Sequence, residues 1–360
     1  MKRTQHFTIF AILGLLFFTS CQKEDSVEPV PDTVTYSGGT FILNEGNYGS
    51  GNSSVSFLDP EGQEITRNIF AAQNRGEALG DTGQSMGFYG DLAFIILNLS
   101  NKIEVVNRFS FEEVATIEEG LKNPRYIAFS AGKVYVTNWG DGTNADDDFV
   151  AVINAETFEI EKKISVTEGP DEIVEAGGKI YVAHPGGFSF SNKISVIDPE
   201  SNTVAETIEV GDVPNSLEVS GDYLWVACSG FPSYASEETA GEIAKIDLNT
   251  NEIVGEYNFE NITDHPANLE VENASVYYTI GNDVYSFPTD STALPASADF
   301  GLEDVSVLYS FEVNNGLIYA ASANSDFTGN GKLLIYETSE GELLNSFDTG
   351  INPGGIYFND

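Results

Sequence analysis

The sequence predicts an all-β protein, a seven-bladed β-propeller of four-stranded blades whose ring is closed by the C-terminal strand pairing into the first blade. Three observations predict this fold. A short apolar strand motif recurs seven times, its copies start 40 to 54 residues apart, and the last strand-like segment has no partner in its own repeat. The 35 Gly, 24 Phe and 16 Tyr residues are also typical of a turn-rich sheet protein.

The second strand of each repeat is the clearest element. Each copy is an apolar run with an aromatic residue, and the copies start at residues 40, 94, 134, 180, 224, 276 and 318. Repeats of this length are typical of four-stranded propeller blades, and seven copies account for residues 40–360. An Ile/Val-rich third strand follows, as in Val150–Asn154 and Ile194–Asp198, although the sixth copy, Asp283–Phe287, is shorter.

The two ends of the repeat region predict how the ring closes. The first copy begins at its second strand, residues 40–44, with no first strand before it. Residues 352–358 form an isolated first strand that is similar to residues 123–129. We therefore expect the C-terminal strand to pair into the first blade, which removes the two exposed edges of an open array.

The N-terminal residues predict a lipoprotein leader. Lys2 and Arg3 precede an apolar run at residues 7–18. A run of this length is shorter than the about 20 residues that span a bilayer, but it fits a signal-peptide core. It ends just before Cys21, in a sequence that resembles a bacterial lipobox. We therefore expect a signal peptide at residues 1–20, acylation with palmitate at Cys21, a flexible lipidated tether at residues 21–39 and the propeller at residues 40–360.

The residues after the leader predict where the protein is located. Cys21–Asp25 resembles the Lys-then-acidic export signal of surface lipoproteins of the Bacteroidota type. We expect an outer-membrane protein that is exposed at the cell surface and contacts the membrane through its lipid anchor only. Cys228 is the only other cysteine, and its apolar strand predicts a buried small residue rather than a disulfide partner.

The charge balance excludes nucleic acid as a partner. There are 16 Lys and Arg residues against 56 Asp and Glu, a formal net charge of −40, and such a surface repels a polyanion. Removing the leader takes away Lys2 and Arg3 but no acidic residue, which makes the mature chain −42. Acidic pairs such as Glu112–Glu113 and Glu118–Glu119 are interpreted as a solvated coat that keeps the protein monomeric.

One strand carries a family signature. Lys133–Asn138 contains Tyr-Val-Thr-Asn and resembles the YVTN family of β-propeller repeats (YncE-like), and Lys179–Ala183 is a close variant. Together with the leader, the chain resembles the surface corrinoid-binding propeller lipoproteins of the Bacteroidota type. The resemblance implies a non-enzymatic binding protein that captures a small-molecule nutrient, such as the corrinoid vitamin B12 (cobalamin), for delivery to an outer-membrane transporter.

A ligand site is predicted on the face where the loops from strand 2 to strand 3 meet those from strand 4 to the next blade. Aromatic rings beside amides suit a large, flat ligand that carries amide groups. The predicted ligand-binding residues are Asn44, Tyr48, Arg75, Asn98, Arg125, Asn138, Trp139, Asp171, His184, Phe188, Asn215, Phe231, Tyr234, Asn324 and Phe327. The alternative is that the aromatic residues anchor loops and the amides satisfy turn backbones.

Other chemistries have little support in the sequence. No catalytic residue or cofactor is predicted, and His184 and His265 lack zinc-ligand spacing. Asp141, Asn144, Asp146 and Asp148 are a weak candidate for calcium, because their loop departs from the EF-hand pattern and fits a solvated acidic loop better. Two alternative functions remain: a propeller scaffold that binds a protein or glycan, and a lactonase-type hydrolase with carboxylates on a metal.

Overall fold

The computed structural model describes residues 35–144 and 146–360. The predicted signal peptide, the acylated Cys21 and most of the predicted tether lie outside these residues. In the described part of the chain, no helix is both long enough and apolar enough to span a membrane.

The structure confirms a ring of seven four-stranded antiparallel sheets. Blade 1 contains β1 (Thr40–Asn44), β2 (Ser54–Leu58) and β3 (Ile65–Thr66), followed by helix α1 (Ile69–Gln73). Blades 2 and 3 contain β4 (Gly83–Tyr89), β5 (Leu92–Leu97), β6 (Lys102–Asn107), β7 (Glu113–Ile117), β8 (Pro124–Ser130), β9 (Lys133–Asn138), β10 (Phe149–Asn154) and β11 (Ile160–Ser165). Blades 4 and 5 contain β12 (Ile173–Ala176), β13 (Lys179–His184), β14 (Lys193–Asp198), β15 (Thr203–Glu209), β16 (Pro214–Ser220), β17 (Tyr223–Cys228), β18 (Glu242–Asp247) and β19 (Ile253–Asn258).

The remaining strands complete blades 6 and 7 and return to blade 1. They are β20 (Ala267–Glu272), β21 (Ser275–Ile280), β22 (Asp283–Pro288), β23 (Phe300–Gly301), β24 (Val307–Asn314), β25 (Leu317–Ala323), β26 (Asn330–Glu337), β27 (Leu343–Ile351) and β28 (Pro353–Phe358). The order of strands in blade 1 is β28-β1-β2-β3. The predicted closure is therefore confirmed.

The closing pair joins the two ends of the chain. Strands β1 and β28 are antiparallel, with Thr40 opposite Phe358 and Ile42 opposite Ile356. Ile42 and Ile356 pack in one apolar cluster with Leu333 of blade 7. Backbone pairing and side-chain burial therefore act together at the junction, where an unpaired β1 would leave a sheet edge open.

The core lies between neighbouring blades. The second strand of each blade has a neighbour on both sides, and its middle residues are buried on both faces, as a near-continuous apolar run predicts. Cys228 is a free, fully buried cysteine at the end of β17, as predicted. Large rings fill the space between the sheets, including Tyr135, Tyr181 and Trp225.

The packed body begins before residue 40. Tyr36 is buried, and its ring centroid lies 5.0 Å from that of Phe57 and 5.9 Å from that of Phe111. Asn359 Nδ2 also donates a hydrogen bond to the carbonyl oxygen of Tyr36. Residues 36–39, which the sequence analysis assigned to the tether, are therefore part of the propeller.

The first strand of each blade lies at the centre of the ring. Strands β4, β8, β12, β16, β20, β24 and β28 all contribute lining residues to a central channel. Each of these strands starts at the end of the ring that carries the loops from strand 2 to strand 3. We call this end of the ring the loop face.

Removing residues 353–360 should destabilise the protein far more than the loss of a short tail, because it deletes β28 and opens the ring. Ile356→Ala is the graded version and should cost about 2–5 kcal/mol of unfolding free energy, as buried large-to-small changes do. Leu344→Ala is the control, because Leu344 is 42% exposed on β27. Chemical unfolding followed by circular dichroism measures all three variants, and a truncated chain as stable as the full chain would contradict this account of closure.

Candidate ligand-binding face and central channel

Four of the predicted site residues form one cluster on the loop face, which we call the Trp139 cluster: Arg125, Trp139, Asp171 and Phe188. Arg125 Nε lies 2.8 Å from Asp171 Oδ1, and its guanidinium carbon lies 4.1 Å from the centre of the Trp139 ring system. Trp139 Nε1 donates to the carbonyl oxygen of Pro170, which holds the indole in place. The Phe188 ring lies 6.0 Å from that of Trp139 and is 77% exposed. The cluster thus combines a fixed cation–π pair with an open aromatic ring.

A second aromatic group, the Phe231 cluster, consists of Phe190, Phe231 and Tyr234 from the loops of blades 4 and 5. The Phe190 ring centroid lies 5.1 Å from that of Phe231 and 6.4 Å from that of Tyr234. The Phe231 amide donates to Thr239 Oγ1, whose hydroxyl donates to Asp212 of the adjacent loop. Hydrogen bonds therefore fix the loop backbone, while Tyr234 stays 83% exposed.

A third contact links the loop face to the channel. The Phe327 ring lies 6.1 Å from that of Tyr309, which lines the channel cavity. Tyr309 Oη donates to Glu45 Oε2 at 2.8 Å. Tyr48, from the loop that follows Glu45, is 81% exposed. Phe327 of the loop face thus contacts the wall of the channel.

Three predicted ligand-binding residues have structural roles. Asn44, Asn138 and His184 end the second strands of blades 1, 3 and 4, and their side chains are completely buried. Asn44 accepts a hydrogen bond from the Gly350 amide, and Asn138 accepts one from the Lys122 amide. These residues join the end of a strand to a neighbouring loop and do not face a ligand.

His184 is neutral at physiological pH. Its Nε2 lies 2.8 Å from Ser195 Oγ, and its Nδ1 lies 3.3 Å from the carbonyl oxygen of Glu168. Burial lowers its pKa to about 4. With both ring nitrogens engaged and no exposed surface, it connects the end of β13 to its neighbours.

The remaining predicted polar residues are dispersed. Asn98 Nδ2 donates to the carbonyl oxygen of Pro124, and Asn324 is exposed in the loop before β26. Arg75 is exposed in the segment after α1, with a left-handed backbone φ of 58°. Asn215 does line the channel cavity, where its Nδ2 donates to the carbonyl oxygen of Pro266.

The acidic loop of blade 3 satisfies its own turns. Asp141 Oδ1 accepts from the amide and hydroxyl of Thr143, and Asn144 Oδ1 accepts from the Asp146 amide. Asp148 is buried, accepts from the Gly169 amide, and has a pKa raised to about 6 by burial. Among residues 35–144 and 146–360, no three His, Cys, Asp or Glu side chains lie close enough to hold a metal ion.

The central channel contains residues that the sequence analysis did not select. A cavity of about 390 Å³ is lined by all seven inner strands. Four glutamates from successive blades line it: Glu172, Glu218, Glu270 and Glu312. The acidic residues were interpreted only as a solvated outer coat. That interpretation fits exposed residues such as Glu118 and Glu119 but not these four.

Enclosure of these carboxyl groups favours their neutral forms. Burial raises the pKa of Glu172 to about 8, of Glu312 to about 8 and of Glu218 to about 7. Burial also raises the pKa of Glu270, and the negative charge of Glu312 adds to that effect. Neighbouring carboxylates thus make each other harder to ionise.

A sequence signal for three of these glutamates exists. Leu217-Glu218-Val219, Leu269-Glu270-Val271 and Phe311-Glu312-Val313 place one glutamate between two apolar residues at the same point of three successive first strands. Alternation along a strand puts such a glutamate on the face opposite to its apolar neighbours. In the first strand of a blade, that face is the channel.

Comparison with known proteins gives a family and a fold. The model of the family described as Domain of unknown function (DUF5074) matches residues 38–349. No curated protein matches the sequence. The dihydro-heme d1 dehydrogenase NirN in complex with DHE is similar in structure, with a TM-score of 0.58 and 14% identity over 90% of this chain and 75% of that chain.

Two further solved structures are similar. BamB from Moraxella catarrhalis has a TM-score of 0.55 and 14% identity over 88% of this chain and 83% of that chain. The apo form of AztD from Citrobacter koseri has a TM-score of 0.53 and 12% identity over 90% of this chain and 98% of that chain. At these identities the likeness supports the propeller fold alone.

The raised carboxyl pKa values predict that stability falls as pH rises. The folded-state pKa of Glu312, about 8, lies above its unfolded-state value near 4.5. Below pH 4.5 the group is protonated in both states and does not reduce the free energy of unfolding. Between pH 4.5 and about 8 the unfolded state ionises more readily, so the free energy of unfolding falls as pH rises. Glu312→Gln should therefore raise the unfolding free energy at about pH 8.5 by at least about 1.4 kcal/mol, the equivalent of one pKa unit. At about pH 5.5 the gain should be smaller.

Urea unfolding at the two pH values measures this effect. Glu119→Gln is the control, because it removes the same charge from an exposed residue. Equal pH dependence in wild type and Glu312→Gln would show that the channel carboxyl groups do not limit stability.

Proposed function

Because this chain belongs to the DUF5074 family, whose description assigns no activity, we propose its function from the geometry of its loop face. It is a non-enzymatic binding protein that captures a small-molecule nutrient on that face. The observation that carries this proposal is the exposed Phe188 ring beside Trp139, which the Arg125–Asp171 pair holds on the loop face.

The exposed rings support a ligand with a large flat surface. Phe188, Tyr234 and Tyr48 are each more than three-quarters exposed, and several exposed rings on one face mark an interaction site. Their loops are held by backbone and side-chain hydrogen bonds such as that from Ser189 Oγ to Glu168 Oε2. A preformed face of this kind loses little conformational entropy when a ligand binds.

The finer proposal is a corrinoid ligand. A corrin ring is a broad, flat surface that can stack on aromatic rings, and its side-chain amides can pair with polar groups of the loop face. The Asn324 side chain of the blade 7 loop is exposed beside Gly329 and is one such polar group. Stacking would supply contact area, and the polar groups would fix orientation.

We also propose a lipid-anchored surface protein of YVTN type that acts as a monomer. Acylation at Cys21 would tether the propeller to the outer membrane, and captured ligand would pass to an outer-membrane transporter. A negative net charge of −40 supports a dispersed monomer, because like charges oppose association.

Cobalamin binding should depend on the two aromatic clusters. Purified protein mixed with cobalamin should retain red colour after gel filtration. Trp139→Ala or Phe231→Ala should weaken binding at least about fivefold, since a stacked ring contributes about 1–3 kcal/mol and about 1.4 kcal/mol corresponds to a tenfold change. Tyr89→Ala is the matched control, because Tyr89 is an exposed ring at the β4–β5 hairpin, on the opposite face.

The outcomes separate the ligand from the site. Failure to retain cobalamin would overturn the corrinoid proposal. Retention that is unchanged in both cluster variants would overturn the loop face as its site. Capture of a protein or a glycan through the same rings, with no small ligand bound, would favour the scaffold alternative.

The anchor proposal has its own test. Cys21→Ser removes the residue that is acylated and should therefore abolish incorporation of labelled palmitate. It should also move the protein from the membrane fraction to the soluble fraction, because two or three acyl chains are needed for stable anchoring. Cys228→Ser is the matched control, since that thiol is buried in β17. Continued membrane association of Cys21→Ser without label would contradict a lipid anchor.

A further inference from the structure

A cleft at the outer side of blades 5 and 6 shares no lining residue with the central channel. Its volume is about 640 Å³, and it lies between the end of β19 and the segment that connects β22 to β23. Strand β23 has only two residues, which pair with Asp283 and Val284 of β22. The outer strands of blades 2 to 5 and of blade 7 have five to nine residues. The short outer strand of blade 6 therefore leaves room for the cleft.

Aromatic side chains form one wall of this cavity, which we call the Tyr278 cleft: Tyr257, Phe259, Tyr278 and Tyr285. The Tyr285 ring stacks on that of Tyr278 at 5.1 Å, and the Phe259 ring meets it edge-on at 5.6 Å. Tyr257 Oη donates to the carbonyl oxygen of Ser291, in the connecting segment. Phe259 and Tyr285 are partly exposed. The wall is thus held in place and remains open to a ligand.

The hydroxyl group of Tyr278 is an unpartnered polar group in this wall. Tyr278 is only 1% exposed, and its Oη forms no hydrogen bond with any residue of the described part of the chain. The other tyrosines that are this deeply buried, Tyr135, Tyr181 and Tyr336, each donate a hydrogen bond. Buried hydroxyl groups normally have a partner, so an unpaired one beside a cavity calls for an explanation such as a ligand.

The charge of the cleft is of one sign. Glu256, Glu260 and Asp264 line it, and no described Lys, Arg or His residue does. Within the described residues none of these three carboxylates forms an ion pair. Burial raises the pKa of Tyr278, and nearby negative charges, that of Asp264 among them, add to this effect. The phenol is therefore neutral at physiological pH, and a cation is the complementary ligand.

These features together favour an organic ammonium ion over a metal ion or a neutral molecule. Aromatic rings attract a cation, and a neutral phenol oxygen accepts a hydrogen bond from an N–H group. No three acidic or histidine side chains in the described part of the chain are close enough to share a metal ion. Ile280, Leu294 and Pro295 also line the cleft, and they suit a ligand with an apolar body.

We propose that the Tyr278 cleft binds a small primary ammonium ion that carries an apolar body. Its nitrogen donates to Tyr278 Oη and pairs with Asp264, and its body contacts Ile280 and Leu294. This inference goes beyond the proposed function, because the cleft shares no residue with the Trp139 cluster or the Phe231 cluster.

The probe is the 2-phenylethylammonium ion, and isothermal titration calorimetry at about pH 7 measures its binding. A salt concentration of about 0.15 M limits general attraction to the acidic surface, since it screens exposed charges beyond about 8 Å. We expect saturable binding at one site. 2-Phenylethanol has the same apolar body without the charge, and it should bind at least about tenfold more weakly because it makes neither the ion pair nor the cation–π contact.

Tyr278→Phe tests the hydroxyl group, because it removes that group and keeps the ring. It should weaken binding of 2-phenylethylammonium at least about threefold, as the loss of one hydrogen bond does. The N-trimethylated form of the probe has no N–H group, so the same variant should change its binding less than about twofold. Tyr277→Phe is the matched control, because Tyr277 packs towards blade 7 from the other face of β21.

Asp264→Asn tests the charge and should weaken binding of both ammonium ions at least about threefold. Asp290→Asn is its control, because Asp290 is exposed after β22 and does not line the cleft. Thermal melting checks that each variant is folded. Trp139→Ala should retain binding of 2-phenylethylammonium whether or not cobalamin is bound, which separates this proposal from the proposed function.

Four results would overturn the proposal. One is an absence of saturable heat, and another is equal binding of 2-phenylethanol. A third is an equal effect of each variant and its control, which would indicate attraction to the acidic surface in general. The fourth is an equal loss of the trimethylated probe in Tyr278→Phe, which would indicate a change in the aromatic wall and not the loss of a hydrogen bond.

Discussion

The hydrogen-bonded pairing of β1 with β28 is the constraint on which the rest of the molecule depends. It joins residues 40–44 to residues 353–358 and turns a linear array of sheets into a ring without open edges. Only a closed ring fixes the separation of the seven inner strands, and those strands form the channel wall. Gly354, Gly355 and Tyr357 of β28 are themselves part of that wall. The strand that completes the fold therefore also completes the cavity.

The channel contains carboxyl groups whose ionisation is disfavoured. At the register that Glu218 occupies in blade 5, blades 2 and 3 have Gly87 and Ala128, neither of which lines the cavity. Blades 5, 6 and 7 instead place a glutamate there, although enclosure disfavours each ionised form. Such groups reduce stability at the pH values where they ionise. The loop face is organised in a different way, because its rings are exposed while their loops are fixed.

The sequence predicted the fold because strand periodicity and repeat length are local signals. The aromatic clusters could also be predicted from the sequence, because Trp139, Phe188 and Phe231 lie in long loops with no core to pack against. The roles of the polar residues at the strand ends could not be predicted in this way. A polar residue such as Asn44, Asn138 or His184 fits a ligand contact as well as a hydrogen bond to a neighbouring loop, and only the positions of Gly350, Lys122 and Glu168 distinguish the two. The channel glutamates could be selected only with knowledge of which face of a first strand points to the centre of the ring.

The position of β28 also determines when the central cavity can form during folding. The contacts between β1 and β28 join residues more than 300 positions apart in the chain. Contacts of such high sequence separation form late in folding and slow it. A nascent chain can complete blades 2 to 7 one after another, but blade 1 has no inner strand until the last residues are available. The wall of the channel is therefore complete only in the fully synthesised chain, and a partly folded chain has a gap where β28 belongs.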